Sequence, residues 1–342
     1  SLGYSTDEYL SSLNLPLSCL VGVMINAKEI LNFEDGIDEA ISKLFDEKKN
    51  SPVDLVRVAA HFNEYSDCYP IVKALHSLGY IVGFNLMQSG GRSEKELSDA
   101  AAEIKSWKGL EVLYFADSLG NMSKVDVLET IDAFRSGGWE RSIGIHTHDN
   151  MTEALNNSLA AIDHGAQWID ATIMGMGRGP GNAKMEYLLI ELEKSGYVKY
   201  NPKPLFPIAL DQFSNLQSKY GWGSNILYYL SAEYGIHPTY VQEMTAKIEM
   251  DANQKIAAVE FLGASDSTGY NPESLNQAFL NEGGSKKGAW SCKNWLKGED
   301  IMIIGPGKST KKYNSAIINY INAKKPKVIS LNINKTIPPD CI

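Results

Sequence analysis

Ser142-Ile143-Gly144-Ile145-His146-Thr147-His148-Asp149-Asn150 is a β-branched apolar run that turns polar at its end. Such a run reads as a buried strand leaving the sheet at a functional rim. Residues two apart on a strand point the same way. His146 and His148 therefore share one face, near the strand's end. Two imidazoles at that spacing can bind one divalent metal. The plainer alternative is two partly buried histidines with no metal. The neighbouring acid, Asp149, and the loop that follows the next strand favour the ligand reading.

Outward from this segment, short apolar runs alternate with helical ones. Strand-like runs fall at 17–25, 55–60, 81–87, 112–116, 143–147 and 168–174. Between them, 93–106 has Leu97, Ala101 and Ile104 at helical spacing. Residues 124–134 follow a serine N-cap, Ser123, and 153–164 end at Gly165, a good C-cap. Strands separated by helices make parallel β/α units, and near-continuous apolar runs suit strands buried on both faces.

Asn85, Asp117, His146 and His148 cluster at the C-terminal ends of different strands, as in barrel enzymes. No GxGxxG follows the first strand, so the dinucleotide-binding open sheet lacks its signature. The fold class is therefore α/β, a (β/α)8 TIM barrel. Six strands are visible, so the first two are expected upstream of Ser1.

Beyond the barrel, taken as 1–200 (strands three to eight), the alternation stops. Residues 208–220, 226–234 and 238–256 read as helices, giving a helical extension over 201–260. Residues 261–298, rich in Gly, Ser, Asn and Lys, read as a linker. A strand at 300–304, a helix at 313–323 and a strand at 327–331 open a truncated Rossmann-like domain, 299–342. Its Gly305-Pro306-Gly307-Lys308-Ser309 turn is less than a full phosphate-binding fingerprint. Both ends of the chain look cut.

The 342 residues are 44% hydrophobic and 21% charged, ordinary for a globular protein. A formal charge of −9 argues against a nucleic-acid surface. No apolar run approaches the roughly 18 residues that suggest a membrane span. Cys19, Cys68, Cys292 and Cys341 form no CxxC pair. Reduced thiols and a cytoplasmic location are expected, with Cys19 a small core residue.

The loop after the sixth strand is Met174-Gly175-Met176-Gly177-Arg178-Gly179-Pro180-Gly181-Asn182-Ala183-Lys184-Met185-Glu186. Four alternating glycines let backbone approach a ligand, and Glu186 could cap the next helix turn. With His146-Thr147-His148-Asp149-Asn150 and Ile169-Asp170-Ala171-Thr172, this loop resembles the HMG-CoA-lyase-like metal-dependent barrel enzymes. Within that superfamily of lyases, aldolases and Claisen-type synthases, the 4-hydroxy-2-oxovalerate aldolases are most similar. Val56-Arg57-Val58-Ala59 with His61, Gly83-Phe84-Asn85-Leu86-Met87 and Ala116-Asp117-Ser118-Leu119-Gly120 look like that family's middle strands. The resemblance covers about residues 1–245. One departure is plain: the family's first-strand Arg-Asp-Gly motif, whose Asp binds the metal, is absent, and Asp35-Gly36 lies in a helical region.

The resemblance implies cleavage of a 4-hydroxy-2-oxo acid to pyruvate and an aldehyde, or the reverse. It implies Mn²⁺ or Mg²⁺ on His146 and His148, polarising the oxygen of a pyruvate enolate. Arg57, His61 and Asp117 are the candidate catalytic residues. Arg57 either binds an anionic substrate or pairs with Asp117 or Asp170. His61 is a candidate base, and Asp117 either orients a water or caps a helix. Asn85, Gly177 and Asn182 are the candidate substrate contacts. His76, His164 and His237 read as structural. The expected partner is a small 2-oxo acid, without nucleic acid or membrane. A homo-oligomer and an aldehyde dehydrogenase partner through the helical extension stay open. Claisen-type acyl-CoA synthesis and an inactive barrel module are the alternative functions.

Overall fold

The computed structural model describes residues 6–16, 18–197, 201–246, 250–265, 267–280, 295–305 and 307–331. Leu17, Pro306, Cys292, Cys341 and the Pro338-Pro339 end lie outside them. The chain forms two units, Ser1–Gly284 and Ser285–Ile342.

The first unit opens with helix α1 (Thr6–Ser12) and strand β1 (Gly22–Asn26). Helices α2 (Ala27–Leu31) and α3 (Ile37–Leu44) lead to β2 (Leu55–His61). Then α4 (Tyr69–Ser77), β3 (Ile81–Met87), α5 (Glu94–Ile104), β4 (Leu110–Asp117), α6 (Lys124–Ser136), β5 (Ser142–Thr147), α7 (Ala154–Asp163), β6 (Trp168–Ile169) and α8 (Met185–Lys194) alternate. The six strands make one parallel sheet in sequential order. Each crossover helix returns the chain to start the next strand beside the last, as parallel pairing requires.

Local signals set the boundaries. Ser93 accepts a hydrogen bond from the Glu96 amide and its own amide donates to the Glu96 carboxylate. Ser123 and Asp126 repeat this capping box at α6. Gly165 follows α7 with φ +94°, a left-handed stop. β6 is two residues long, because the backbone turns at Ile173–Gly175 into a 3-10 turn rather than continuing to 174. β1 begins only at Gly22, and Cys19 ahead of it is exposed, not core; of the two described cysteines, Cys68 is the buried one. β1 alternates between exposed and half-buried positions because it is an edge strand.

Alternation divides the sheet's faces. Val56, Val58, Ala60, Val82, Phe84, Leu86, Leu113, Phe115, Ile143 and Ile145 pack against the helices in the main core. Phe84 meets Trp107 edge to face at 5.0 Å. The other face carries Arg57, Ala59, His61, Gly83, Asn85, Tyr114, Ala116, Gly144 and His146. One register row runs Asn26, Ala59, Asn85, Tyr114, Gly144, Trp168. Of the candidate site residues, Arg57, His61, Asn85 and His146 thus lie on the face turned away from the helices, whereas Asp117 has the parity of Leu113 and Phe115.

After α8 come α9 (Leu205–Ile208), a π turn, α10 (Ser214–Tyr220), α11 (Ile226–Glu233), α12 (Pro238–Ala246), α13 (Ala252–Gly263) and α14 (Pro272–Leu280). The single helix expected at 238–256 is two, since Asp251 and Gln254 build a capping box that starts α13. The stretch 261–298, expected as a linker, contains α14. Leu275 and Ala278 on α14 are buried in a second core with Tyr240, Met244 and Leu262. No helix among the described residues is long and apolar enough to cross a membrane.

The second unit pairs β7 (Ile301–Ile304) in parallel with β8 (Lys327–Ser330), joined through α15 (Lys308–Lys312) and α16 (Asn314–Lys324).

Candidate metal centre

β5 delivers the two imidazoles. His146 and His148 lie with ring centroids 4.9 Å apart and planes at 89°. Two imidazoles binding one ion at about 2.1 Å, at roughly a right angle, place their centroids about 4.5–5 Å apart. Each ring is anchored through Nδ1. His146 Nδ1 is 2.8 Å from Asp170 Oδ2, and His148 Nδ1 is 2.9 Å from the Asp117 carbonyl oxygen. A carbonyl can only accept, so His148 Nδ1 carries the proton. Its Nε2 lone pair is left for a ligand, and among the described residues neither Nε2 has a hydrogen-bond partner. This is how metal-binding histidines are commonly held. The pair fits a divalent cation as two nitrogen ligands. Among the described residues no group of three or more His, Cys, Asp and Glu side chains converges to complete the shell.

Behind His146 stands an ion-pair network. Arg57 grips Asp170 with both terminal nitrogens, Nη1 to Oδ1 at 2.9 Å and Nη2 to Oδ2 at 2.7 Å. Of the two acids expected as Arg57's partner, the structure selects Asp170. Burial alone would raise the Asp170 carboxyl. The hydrogen bonds and charges of His146 and Arg57 outweigh that and bring it down to about 2. The guanidinium also lies 4.4 Å from the centre of the Tyr114 ring. Tyr114 was not singled out from sequence. Its signal was Gly144, a glycine inside a strand, which marks a close approach.

Asp117 is buried, and its carboxylate turns to the loop that follows β4, accepting from the amides of Asn121 and Met122. The side chain braces this loop rather than capping α6, whose N-cap is Ser123, while its carbonyl lies against His148 Nδ1. Burial raises its carboxyl to about 7 against these backbone donors. Asn85 is buried on the site face, and its Oδ1 has no partner. An unmet buried oxygen costs about 1–3 kcal/mol, so a ligand or water is expected there.

The glycine-rich loop folds back along the end of β5. His148 and Asn182 form an antiparallel bridge, and the Asp149 amide donates to the Gly181 carbonyl at 2.9 Å. Asn182 therefore sits beside a candidate ligand, its amide donating to the Met176 carbonyl. Gly177 leaves room for that amide. Gly181 has φ +81°, and a Cβ there would lie 2.4 Å from the Gly175 carbonyl oxygen, so the loop closes only with glycine. Met174 is left-handed at φ +51°. Both its backbone groups are tied: the amide donates to Glu186, and the carbonyl accepts from the Trp222 indole at 3.0 Å. Strain of this kind persists only where its surroundings fix it.

His61 ends β2, its amide capped by Glu64. His237, read from sequence as structural, comes close enough to His61 and Arg178 to feel their charges. Nothing local in the sequence signals this; it depends on how α12 folds over the strand ends. Arg178 makes no ion pair among the described residues. Burial first, then the charges of His146, Arg178 and His237, push His148 down to about 4. Burial first, then Arg178 and His61, push His237 down to about 4.

These displacements set a pH dependence. The ordinary imidazole value is 6.5. As pH falls through it, the unfolded chain takes up two protons that the folded chain refuses until about pH 4. Stability present above pH 6.5 is therefore lost on acidification, by at most about 1.4 kcal/mol per pH unit for each group. Asp117 works in the opposite sense, its contribution being lost as pH rises from about 4 to about 7. Two histidines outweigh one carboxyl. Metal-free protein is expected to melt lower at pH 5 than at pH 7, and His237→Gln to shrink the difference. Equal or higher melting at pH 5 would contradict neutral buried imidazoles.

A family model for HMGL-like proteins matches residues 40–210. The chain belongs to the HMGL-like family. The sheet, with its site at the strand ends, is accordingly of the TIM-barrel type. A 4-hydroxy-2-oxovalerate aldolase from Thermus thermophilus is 38% identical over 115 residues, 34% of this chain and 33% of that protein. An oxaloacetate decarboxylase from Mycobacterium tuberculosis is 32% identical over 146 residues, 43% of each chain. The chain thus aligns with less than half the length of these curated relatives. Among solved structures, the N-terminal domain of a candidate aldolase from Bacteroides vulgatus superposes with a TM-score of 0.59. It is 29% identical, covering 72% of this chain and 79% of that one. All candidate site residues except His237 lie inside the HMGL-like match.

Proposed function

We propose that this HMGL-like chain carries a carbon–carbon lyase site that releases pyruvate from a 2-oxo acid, with 4-hydroxy-2-oxo acids as the substrate class. The observation that carries the reading is the pair His146 and His148. Both are pinned through Nδ1 with their rings 4.9 Å apart, which leaves both Nε2 atoms without a hydrogen-bond partner among the described residues. The names of the two kinds of relative point to one shared step. Retro-aldol cleavage of a 4-hydroxy-2-oxo acid and decarboxylation of oxaloacetate both leave pyruvate as its enolate. A divalent cation, Mn²⁺ or Mg²⁺, would supply Lewis-acid stabilisation of the developing enolate oxygen. The protein's part is to bind, orient and move a proton. Arg178, without an acidic partner among the described residues, supplies positive charge for an anionic substrate. Asn85 offers an unmet amide oxygen, an acceptor, on the same face, and Asn182 lies beside His148. Retro-aldol cleavage also needs a base for the 4-hydroxyl proton. His61, at the end of β2, is the candidate.

Decarboxylation is the second reading, favoured by the oxaloacetate decarboxylase relative. It needs no base, so the two separate experimentally. Pyruvate release would be measured from 4-hydroxy-2-oxovalerate and from oxaloacetate, with Mn²⁺, with Mg²⁺ and with chelator. Cation-dependent release from the hydroxy acid, lost in His61→Ala, is the expected result. Release from oxaloacetate alone, indifferent to His61→Ala, would favour the decarboxylase. Release from neither would sink both.

A further inference from the structure

We propose that Asp170, gripped by Arg57, is a positioning residue that decides which nitrogen of His146 faces the site, and that Tyr114 is the platform holding Arg57 in that grip. The inference rests on the reading of His146 as a metal ligand. It assigns Arg57 to the support of that ligand rather than to contact with substrate.

The argument is one of donors and acceptors. Arg57 has only donors, and an ionised Asp170 has only acceptors. Arg57 occupies Oδ1 and shares Oδ2 with His146 Nδ1. Nδ1 must therefore donate, and the neutral ring keeps its lone pair on Nε2. His148 reaches the same tautomer through a backbone carbonyl, which no substitution can turn round. His146 depends on a side chain, and that side chain depends on Arg57, 113 residues away on β2. Arg57 crosses the site face of the sheet to make the contact. Beneath it lies the Tyr114 ring, at 4.4 Å. The ring has space because the next residue in the register row is Gly144. A buried ion pair alone is weak evidence for stability. What this one adds is direction: a donor-only group on one side of the carboxylate leaves only acceptor capacity for the imidazole.

Asp170→Asn tests this. Arg57 can accept nothing, so it claims the amide oxygen and turns the amide NH₂ toward His146. Nδ1 must then accept, the proton moves to Nε2, and the site-facing lone pair is lost. Removing Arg57 as well, by Arg57→Met, frees the amide to rotate and present its oxygen to Nδ1. The double variant should therefore recover the tautomer that the single variant lost. A merely structural pair predicts the reverse, with the double variant worse than the single.

The measurement is long-range ¹⁵N–¹H correlation NMR of His-labelled full chain at pH 8 without metal, with His146 assigned through His146→Asn. Mn²⁺ titration is the second readout. Expected are Nδ1–H in the wild type, Nε2–H with about 10–100-fold weaker Mn²⁺ binding in Asp170→Asn, and return of Nδ1–H in the double variant. An unchanged tautomer in Asp170→Asn, or no recovery in the double variant, would overturn the proposal. If Asp170→Asn does not fold by circular dichroism, Tyr114→Leu keeps the ion pair and removes the platform. It should give a mixed tautomer, and a pure Nδ1–H signal would count against the proposal. The tautomer is read without metal. Absent pyruvate release beside a confirmed tautomer switch would therefore sink the lyase reading and leave the positioning role standing.

Discussion

His148→Ala is expected to reduce Mn²⁺ affinity by more than about 100-fold, beyond the range for losing a supporting group alone, and to bring pyruvate release down to the chelator background. The ring is half-buried and fixed by the Asp117 carbonyl. Its low basicity keeps it neutral down to about pH 4, so its lone pair is available across the physiological range. Losing one of the two imidazoles halves the pair of candidate ligands. The fold should survive, since the residue lies at a strand end beyond the main apolar core. His164→Ala is the control. That half-exposed imidazole pairs with Asp132 at a helix end and should change neither readout. Calorimetric Mn²⁺ titration and pyruvate release would be measured on both variants. Wild-type affinity in His148→Ala would remove the pair from consideration as a metal centre.

Gly144→Ala should cost about 1–3 kcal/mol, the usual penalty for overpacking. A Cβ at this position would lie 2.4, 2.5 and 2.6 Å from Cε1, Cδ1 and Cγ of Tyr114. Contact with Cγ matters most, because the base of a ring cannot swing aside without moving the whole side chain. Tyr114 would have to leave its place under Arg57, so the damage should reach the support of His146 as well as the packing. Thermal denaturation should show melting several degrees lower, and Mn²⁺ binding should weaken. Tyr114→Leu in the Gly144→Ala background should recover part of the stability, because the clash is gone; independent effects would simply add. An unshifted melting curve in Gly144→Ala would refute the close approach.

Much of this was legible in the sequence. Strands 81–87 and 143–147 stand out because apolar runs bounded by turns leave few alternatives, and the period of two placed both histidines on one face. The capping residues Ser93 and Ser123 were legible because a cap is a local hydrogen bond. The illegible parts depend on distant partners. β6 stops after Ile169, and the turn that follows is tied at Met174 to Trp222, 48 residues on, a contact no local pattern shows. Arg57 had two acids within reason, and only the three-dimensional arrangement separates Asp170 from Asp117. His237 joins the neighbourhood of His61 and Arg178 through the folding of the helical segment. Two misreadings were avoidable. Pro272 at a helix start with Leu275 and Ala278 following marks α14, and Asp251 with Gln254 marks the start of α13.

The tie between Trp222 and Met174 bears on how this protein could be reshaped. The loop that brings Asn182 to His148 begins at a left-handed methionine whose carbonyl is held by an indole from α10–α11. The Gly223 amide also donates to the Gly179 carbonyl in the same loop. A barrel excised after α8, or grafted onto a foreign helical segment, would keep every candidate ligand in its sequence. It would lose the clasp that shapes the loop around them. The helical segment is therefore no interchangeable accessory, and chimeras should be spliced beyond Asn225 rather than at the last barrel helix.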